Sequence, residues 1–308
     1  MYHNMNRWII TLLALIFVFG MKAQVVEYTK EDSALVVKLL KEAKTERGNE
    51  SRMLYFGKKF LGVPSTLAIL DEDELDKLKE RVMQEDQYIT VLNLQRMNCL
   101  TFIEIVATLA LCDKDNQCTF EDFSKNLFKI RFRDGEKPSD ISRLHYSTWW
   151  AENHEKIGII EDIAPKSEPW GAFTAVKTVN INYMSSHPDL YKDVKNYEAF
   201  MSTIIQYEQE TNGKTFRFIP KVNLAWKQSS SLGAIKDGDI VTIISNGRGA
   251  GRGLDVRHQG IVCWQNGALH LLHASTLYKK VLISKETFYE YEMKQPGHQG
   301  IRVFRFKD

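Results

Sequence analysis

The sequence predicts an α+β protein in which helices come first and antiparallel strands follow. Apolar residues recur at helical spacing between residues 30 and 61 and again after residue 98. The last third of the chain instead contains short β-rich runs. Two of these runs flank Asn266-Gly267, the strongest two-residue hairpin signal in the chain. This order of helices and strands is typical of α+β folds.

The helices are predicted from periodicity and from residues that can cap their N-termini. Asn98 is a good N-cap, so a helix should begin at Cys99 after a β-rich segment at 87–94. Thr119 can cap the next helix, with Asp122 reaching back to it. The other predicted helices span residues 30–44, 51–61, 148–155 and 191–211.

The strands are predicted in the C-terminal half, at residues 216–219, 239–244, 256–264, 268–273, 281–283 and 301–306. We therefore expect a helical N-terminal half that packs on a C-terminal antiparallel sheet or partial barrel.

The first residues of the chain carry a targeting signal. Arg7 precedes an apolar run at 8–19, and a short segment ending in Ala23 follows. The run is shorter than the about 20 residues that span a membrane. Its charged-apolar-small order is that of a secretory signal peptide, although an uncleaved N-terminal anchor is the alternative. We expect residues 1–23 to be removed and residues 24–308 to form a single domain in the periplasm or outside the cell, with no membrane span.

Composition limits the classes of protein and partner. The chain has 308 residues, of which 44% are hydrophobic, so it can bury a sizeable core. Its formal net charge of +2 is spread without long charged blocks, which excludes nucleic acid as an expected partner. We expect a monomer.

The four cysteines are too few for a disulfide scaffold in a chain of this length. Cys112 and Cys118 can form a local disulfide in an oxidising compartment. The sequence predicts no disulfide partner for Cys99 or Cys263. A free thiol in an exported protein indicates either chemistry or deep burial.

Cys99 is the candidate nucleophile. At the first position of a helix it faces the positive end of the helix dipole, which is expected to lower its pKa below the ordinary value of about 8.5. The structural alternative is a buried hydrophobic side chain, since free cysteine is among the residues most often buried.

Two histidines can supply the base and its orienting group, and strand geometry selects them. If Asn266-Gly267 forms a two-residue hairpin loop, Cys263 pairs with His270 and Gly260 pairs with His273. His258 then shares a sheet face with His273, as its diagonal neighbour at roughly 7–8 Å. His270 lies on the other face and is expected to be structural.

These segments together resemble the NlpC/P60 superfamily of papain-like cell-wall hydrolases. The resemblance rests on Asn98-Cys99 before an apolar helix, on His258-Gln259-Gly260-Ile261, and on Leu272-His273-Ala274-Ser275. A branch described as N-acetylmuramoyl-L-alanine amidase-like is more similar still, and it covers roughly residues 54–306. Its pattern continues in residues 57–64, 98–104, 142–146 and 181–185.

The resemblance implies a papain-like fold and cysteine-dependent amide hydrolysis without a metal or other cofactor. Cys99 would be the nucleophile, His258 the base, and His273 its orienting partner. The implied substrates are peptidoglycan fragments (muropeptides), cut between N-acetylmuramic acid and L-alanine. The alternative bond lies in the stem peptide, between D-glutamate and the diamino acid.

Four residues are candidates for substrate binding. Arg143, His145 and Tyr146 combine a guanidinium, a polar ring and an aromatic face, which would suit a sugar-peptide, and Asn182 is a weaker candidate. The alternative is that Tyr146 packs in the core and that Arg143 forms a structural salt bridge.

One departure from the superfamily pattern leaves other classes of function open. The position after Gly62-Val63-Pro64 commonly holds tyrosine and here holds Ser65. This change favours a non-catalytic envelope-binding protein as an alternative. A metal-binding protein that uses Cys263, His270 and His273 is a further alternative.

Overall fold

A computed structural model describes residues 25–68, 70, 72–85, 88–115, 117–135, 137–163, 174–225 and 232–307. The predicted signal peptide at residues 1–23 lies outside these ranges. No helix within them is long and apolar enough to cross a membrane.

Helices and strands are interspersed along the described chain. The helices are α1 (Lys30–Glu46), α2 (Arg52–Lys59), α3 (Glu72–Glu85), α4 (Cys99–Lys114), α5 (Phe120–Arg131), α6 (Ser147–Lys156), α7 (Tyr183–Ser186), α8 (Tyr197–Thr211) and α9 (Phe288–Met293). The strands are β1 (Val25–Glu27), β2 (Ile89–Val91), β3 (Ile160–Asp162), β4 (Ala175–Thr178), β5 (Thr215–Pro220), β6 (Ile240–Ser245), β7 (Val256–Gln265), β8 (Ala268–Ser275), β9 (Lys280–Ile283) and β10 (His298–Phe306).

The main sheet is antiparallel, as the sequence predicted. Its strand order is β4-β5-β10-β6-β7-β8-β9, and β3 pairs with β10 at the side. Strands β6 to β9 follow one another as a meander, whereas β10 inserts between β5 and β6. Within the described residues the sheet stays open and does not close into a barrel. Strands β1 and β2 form a separate parallel pair.

Helix α4 lies in the middle of the core. Residues 101–110 of this helix are all buried, although they include both faces. A helix that is apolar on all sides is expected where other elements cover it on every side. Each fully buried leucine, isoleucine or phenylalanine contributes about 1.5–3 kcal/mol of transfer free energy. The core thereby fixes the N-terminus of α4 beside the sheet.

Helix α2 packs closely on β7 and β8. A Cβ atom at Gly57 would lie 2.8 Å from Leu272 Cδ2 and 3.1 Å from Ile261 Cδ1. Glycine permits this close approach, because a methyl group here would require the ends of the Leu272 and Ile261 side chains to shift.

The turn between α4 and α5 is closed by a disulfide between Cys112 and Cys118. The predicted capping box is confirmed: the Thr119 hydroxyl accepts from the Asp122 N–H at 3.2 Å, and the Asp122 carboxylate accepts from the Thr119 N–H at 3.1 Å.

Some elements differ from the sequence prediction. The predicted helix 191–211 begins only at Tyr197, because Asn196 adopts a left-handed conformation with φ of 55° and interrupts the helix. Helices α3 and α9 and the short strands β3 and β4 were not predicted.

Candidate active site

The hairpin of β7 and β8 has the predicted register. Its turn residues Asn266 and Gly267 both have positive φ, at 50° and 74°, as a type I′ turn requires. Gln265 pairs with Ala268, and Cys263 pairs with His270.

Gly260 brings the two strands close together at the predicted histidine pair. A Cβ atom at Gly260 would lie 3.1 Å from His273 Cβ and 2.8 Å from the backbone oxygen of Leu272. The absence of a side chain at this position leaves room for the histidine rings.

His258 and His273 meet on one face of the sheet. The distance between His258 Nε2 and His273 Nδ1 is 2.6 Å, and the ring centroids lie 4.9 Å apart. His273 is fully buried, whereas His258 is partly buried. One ring therefore holds the orientation of the other.

Helix α4 begins at Cys99 and lies against β7, the strand that carries His258. Asn98 caps the helix as predicted: its Oδ1 accepts from the Thr101 N–H at 2.9 Å, and Thr101 Oγ1 accepts from the Asn98 N–H at 3.0 Å. The side-chain amide of Gln259, the residue after His258, donates to the Cys99 carbonyl at 3.4 Å. The Cys99 thiol is free and half-buried.

Two backbone N–H groups of the first turn of α4 lie at the Cys99 sulfur. The Thr101 N–H is used by the Asn98 side chain and the Phe102 N–H by the Asn98 carbonyl, at 2.9 Å each. The N–H groups of Cys99 and Leu100 instead interact with the sulfur, as does the backbone of Gln259. These groups are suitably placed to bind negative charge that develops next to the sulfur.

The expected low pKa of Cys99 is wrong. Burial raises the pKa of the Cys99 thiol above its ordinary value, and this effect outweighs the backbone hydrogen bonds of Gln259, Leu100 and Cys99, which lower it. The pKa of His258 lies well below 6.5, chiefly because of burial and secondly because of His273 and His298. At neutral pH the resting pair is therefore a thiol and a neutral imidazole.

The protons on the two histidines follow from this state. His258 Nε2 contacts His273, which leaves Nδ1 as the other ring nitrogen of His258. In the tautomer with a bare Nδ1, the ring proton of His258 lies on Nε2 and is donated to His273. Burial lowers the pKa of His273 to about 4, so this ring is neutral as well. Its buried Nε2 has no hydrogen-bond partner among the described residues.

Arg143 and Tyr146 are held by other protein groups. Arg143 Nη1 lies 2.6 Å from the fully buried carboxylate of Glu104, which also binds Arg131 Nε at 2.9 Å. The Tyr146 hydroxyl donates to Glu208 and accepts from the Met184 N–H at 2.8 Å. These contacts favour the packing alternative for both residues, and their role in substrate binding stays a prediction.

His145 and Asn182 occupy different settings. The His145 ring is half-buried and bonds to the Asp140 carbonyl at 2.8 Å, and burial lowers its pKa to about 4. Asn182 is exposed, and its backbone N–H donates to the Gly253 carbonyl at 3.1 Å. Neither residue is joined to Cys99 by a described contact.

The three residues of the metal alternative do not converge. Cys263 lies opposite His270 in the hairpin, whereas His273 is three residues further along β8 and so points to the other face. His270 Nδ1 bonds to the Ser284 carbonyl at 2.9 Å. In the described ranges no group of three histidine, cysteine or acidic residues is placed to hold a metal ion.

Ser65, which departs from the superfamily pattern, is also buried. It pairs with Met97 in an isolated bridge, and its N–H donates to the Lys279 carbonyl at 3.0 Å. Only 3% of its surface is exposed, and its hydroxyl has no hydrogen-bond partner among the described residues.

Helix α9 and the start of β10 place further residues next to the histidine pair. These residues were not singled out from the sequence. The Tyr291 ring lies 5.5 Å from His273 and 6.2 Å from His298, measured between centroids. His298 Nδ1 bonds to the buried Glu292 carboxylate at 3.0 Å. A signal for α9 was present, because Thr287 and Glu290 have the spacing of a capping box and form one.

Comparisons with known proteins are consistent with this site. Residues 56–301 match the AmiA-like family, described as N-acetylmuramoyl-L-alanine amidase-like. A crystal structure of an N-acetylmuramoyl-L-alanine amidase from Bacteroides uniformis is 33% identical, with a TM-score of 0.69, over 83% of this chain and 98% of that chain. A protein from Bacteroides fragilis, provisionally named a xylanase, is 32% identical, with a TM-score of 0.69, over 82% of this chain and 100% of that chain.

A protein from Legionella pneumophila shares the fold at 19% identity, with a TM-score of 0.65, over 90% of this chain and 95% of that chain. The comparison with curated proteins finds no match.

Proposed function

The chain belongs to the N-acetylmuramoyl-L-alanine amidase-like family, and from this membership we propose that it hydrolyses the amide between N-acetylmuramic acid and L-alanine in peptidoglycan fragments. Cys99 is the nucleophile, His258 is the general base, and His273 orients His258. No metal or other cofactor takes part.

The observation that carries this proposal is the meeting of three elements at one point. The first residue of α4 lies beside β7, and His258 on β7 bonds to His273 on β8 at 2.6 Å. A nucleophile, a base and an orienting group are what amide hydrolysis through a covalent intermediate needs.

The reaction begins from the neutral thiol and imidazole. As the Cys99 sulfur attacks the lactyl carbonyl carbon of the muramic acid, the thiol proton passes to His258 Nδ1. His258 then gives this proton to the L-alanine nitrogen, the carbon–nitrogen bond breaks, and a thioester remains on Cys99. Water attacks the thioester, His258 takes a proton from it and returns one to the sulfur, and the carboxylic acid leaves.

The same proposal places the protein in the NlpC/P60 superfamily, with a papain-like domain over residues 24–308. Export to the periplasm or the outside of the cell fits a peptidoglycan substrate. The disulfide between Cys112 and Cys118 supports export, because such bonds persist in oxidising compartments.

We propose substrate contacts for the four candidates that the sequence predicts. Asn182 is exposed and free to reach a ligand, whereas His145 is half-buried. Arg143 and Tyr146 would act mainly by supporting the substrate site, through their contacts with Glu104 and Glu208.

The likeness to the Bacteroides fragilis protein does not favour sugar cleavage by this chain. A glycosidase needs two carboxyl groups that flank the scissile bond. The groups that interact with the Cys99 sulfur are backbone amides and not carboxylates. On β7 and β8, the described side chains that bond to each other through ring nitrogens are those of His258 and His273.

The proposal is tested by digesting a defined muropeptide and identifying the products by mass spectrometry. The parent enzyme should release a peptide that begins with L-alanine, and EDTA should not change the rate. Cys99→Ser should lose all but a few per cent of this activity, because oxygen is a far weaker nucleophile in the same place. Cys263→Ser is the matched control and should retain it.

Two results would contradict the proposal. Substantial release by Cys99→Ser would exclude Cys99 as the nucleophile. A product cut between D-glutamate and the diamino acid would keep the mechanism and change the bond.

A further inference from the structure

Arg257 directly precedes the proposed base His258, at an irregular point of β7. Val256 pairs with Ile244 of β6 and His258 pairs with Ile243, so Arg257 is an extra residue without a partner on β6. Such a β-bulge bends the strand and changes the direction of a side chain. The bulge therefore releases Arg257 from the regular alternation of side chains along β7.

Two glycines form walls around the Arg257 side chain. A Cβ atom at Gly251 would lie 2.9 Å from Arg257 Cδ, and one at Gly297 would lie 3.0 Å from Arg257 Cζ. The aliphatic stem thus lies along Gly251 and the guanidinium lies along Gly297. Two consecutive residues join these walls: the Ser245 hydroxyl donates to the Gly251 carbonyl at 3.2 Å, and the Asn246 N–H donates to the Gly297 carbonyl at 3.0 Å.

The guanidinium of Arg257 has no hydrogen bond or ion pair with another described residue. Other partly buried arginines have a carboxylate partner: Arg302 Nε lies 2.7 Å from Asp162, and Arg305 Nη2 lies 2.8 Å from Asp239. A charge that is partly withdrawn from water is costly unless a counter-charge accompanies it. Arg257 is partly exposed, so a ligand from solution can reach its donors.

The guanidinium of Arg257 lies near residues that flank the histidine pair. Gly297, along which it lies, is followed by His298. The Tyr291 ring is 6.2 Å from the His298 ring and 5.5 Å from the His273 ring, measured between centroids. The bulge and the glycine walls therefore hold a positive charge at the edge of the proposed active site.

The acid next to Arg257 in sequence is already used. The Asp255 carboxylate is buried and lies 3.7 Å from Lys177 Nζ. The loop before β7 adds two exposed arginines, Arg248 and Arg252. A carboxylate can therefore approach Arg257 without repulsion from this loop.

We propose that Arg257 binds the α-carboxylate of the D-glutamate in the stem peptide, and so selects muropeptides in which this group is free. The proposal rests on the proposed function. D-Glutamate follows L-alanine on the leaving side of the scissile amide and continues the stem through its side-chain carboxyl group. Its α-carboxyl group is therefore one residue away from the reacting bond, as Arg257 is one residue away from His258. A guanidinium binds such a group through two parallel N–H donors.

The test uses two muropeptides with the same sugar and the same tripeptide, in which the D-glutamate α-carboxyl group is either a carboxylate or a carboxamide. With the parent enzyme, kcat/KM should be about 10- to 100-fold higher for the carboxylate, as expected for hydrogen bonds to a charged group. Arg257→Met should lose this factor on the carboxylate substrate, while its kcat/KM for the carboxamide should hardly change. Arg252→Met removes a charge from the same loop and, as the matched control, should keep the parent's ratio.

Equal kcat/KM values for the two substrates with the parent enzyme would overturn the proposal, as would a ratio that Arg257→Met leaves unchanged. An equal loss on both substrates would make Arg257 a support of the strand instead. If Arg257→Met does not fold, Arg257→Lys decides: its ammonium cannot form the paired bonds, so an unchanged ratio would contradict the proposal. If the parent enzyme cleaves neither muropeptide, the proposed function itself fails, and that result is read without any variant.

Discussion

The thiol of Cys99 should react faster with an alkylating agent as the pH rises. Burial raises the pKa of Cys99 above its ordinary value, and burial together with His273 keeps the pKa of His258 well below 6.5. Most of the thiol is therefore protonated at pH 7. The rate of alkylation by iodoacetamide should therefore rise about tenfold for each pH unit between pH 6 and 8.

The assay follows modification of the Cys99 peptide by mass spectrometry in a Cys263→Ser background, so that one free thiol remains. A rapid rate that is the same at pH 6 and pH 8 would refute this reasoning, because it would reveal a preformed thiolate and imidazolium pair. The hydrolysis rate gives a second readout. His258 can accept a proton only when neutral, so kcat/KM should stay level through pH 6.5 and fall only well below it.

Four substitutions test other parts of the structure. His273→Ala should lower kcat at least tenfold, whereas His270→Ala, which loses the bond to the Ser284 carbonyl, should mainly lower the melting temperature; the reverse would contradict the hairpin register. Gly260→Ala should reduce kcat by displacing His273, since its Cβ would lie 2.8 Å from a backbone oxygen, and full activity with unchanged stability would show that the strands can move apart. Glu104→Gln should lower the free energy of unfolding in urea by about 3–5 kcal/mol, because the buried Arg131 and the partly buried Arg143 lose their carboxylate, and a loss below about 1 kcal/mol would show that the charges are hydrated.

The local parts of the site could be predicted because the residues that determine them are neighbours in sequence. Asn98 and Thr101 form the cap that starts α4 at Cys99, and they lie three residues apart. The Asn266-Gly267 turn alone fixes which residues of β7 and β8 face one another, and hence which histidine lies beside His258.

The remaining features depend on contacts between distant segments. The pKa of Cys99 was predicted in the wrong direction, because the helix dipole can be inferred from the sequence and the burial of the thiol cannot. Arg143 binds Glu104, 39 positions away in the numbering, and no local pattern signals that pair. The insertion of β10 between β5 and β6 likewise leaves no trace in strand periodicity, which shows that a strand exists but not its neighbours.

Trapping with hydroxylamine tests the nucleophile and the bond together. A thioester between Cys99 and the muramic acid lactyl group should react with hydroxylamine in competition with water, so turnover in its presence should yield N-acetylmuramoyl hydroxamate and a peptide that begins with L-alanine. Cys99→Ser should yield neither product. Peptide release with no hydroxamate at high hydroxylamine, or a hydroxamate on the D-glutamyl carboxyl group, would contradict the assignment of Cys99 to the muramoyl–alanine bond.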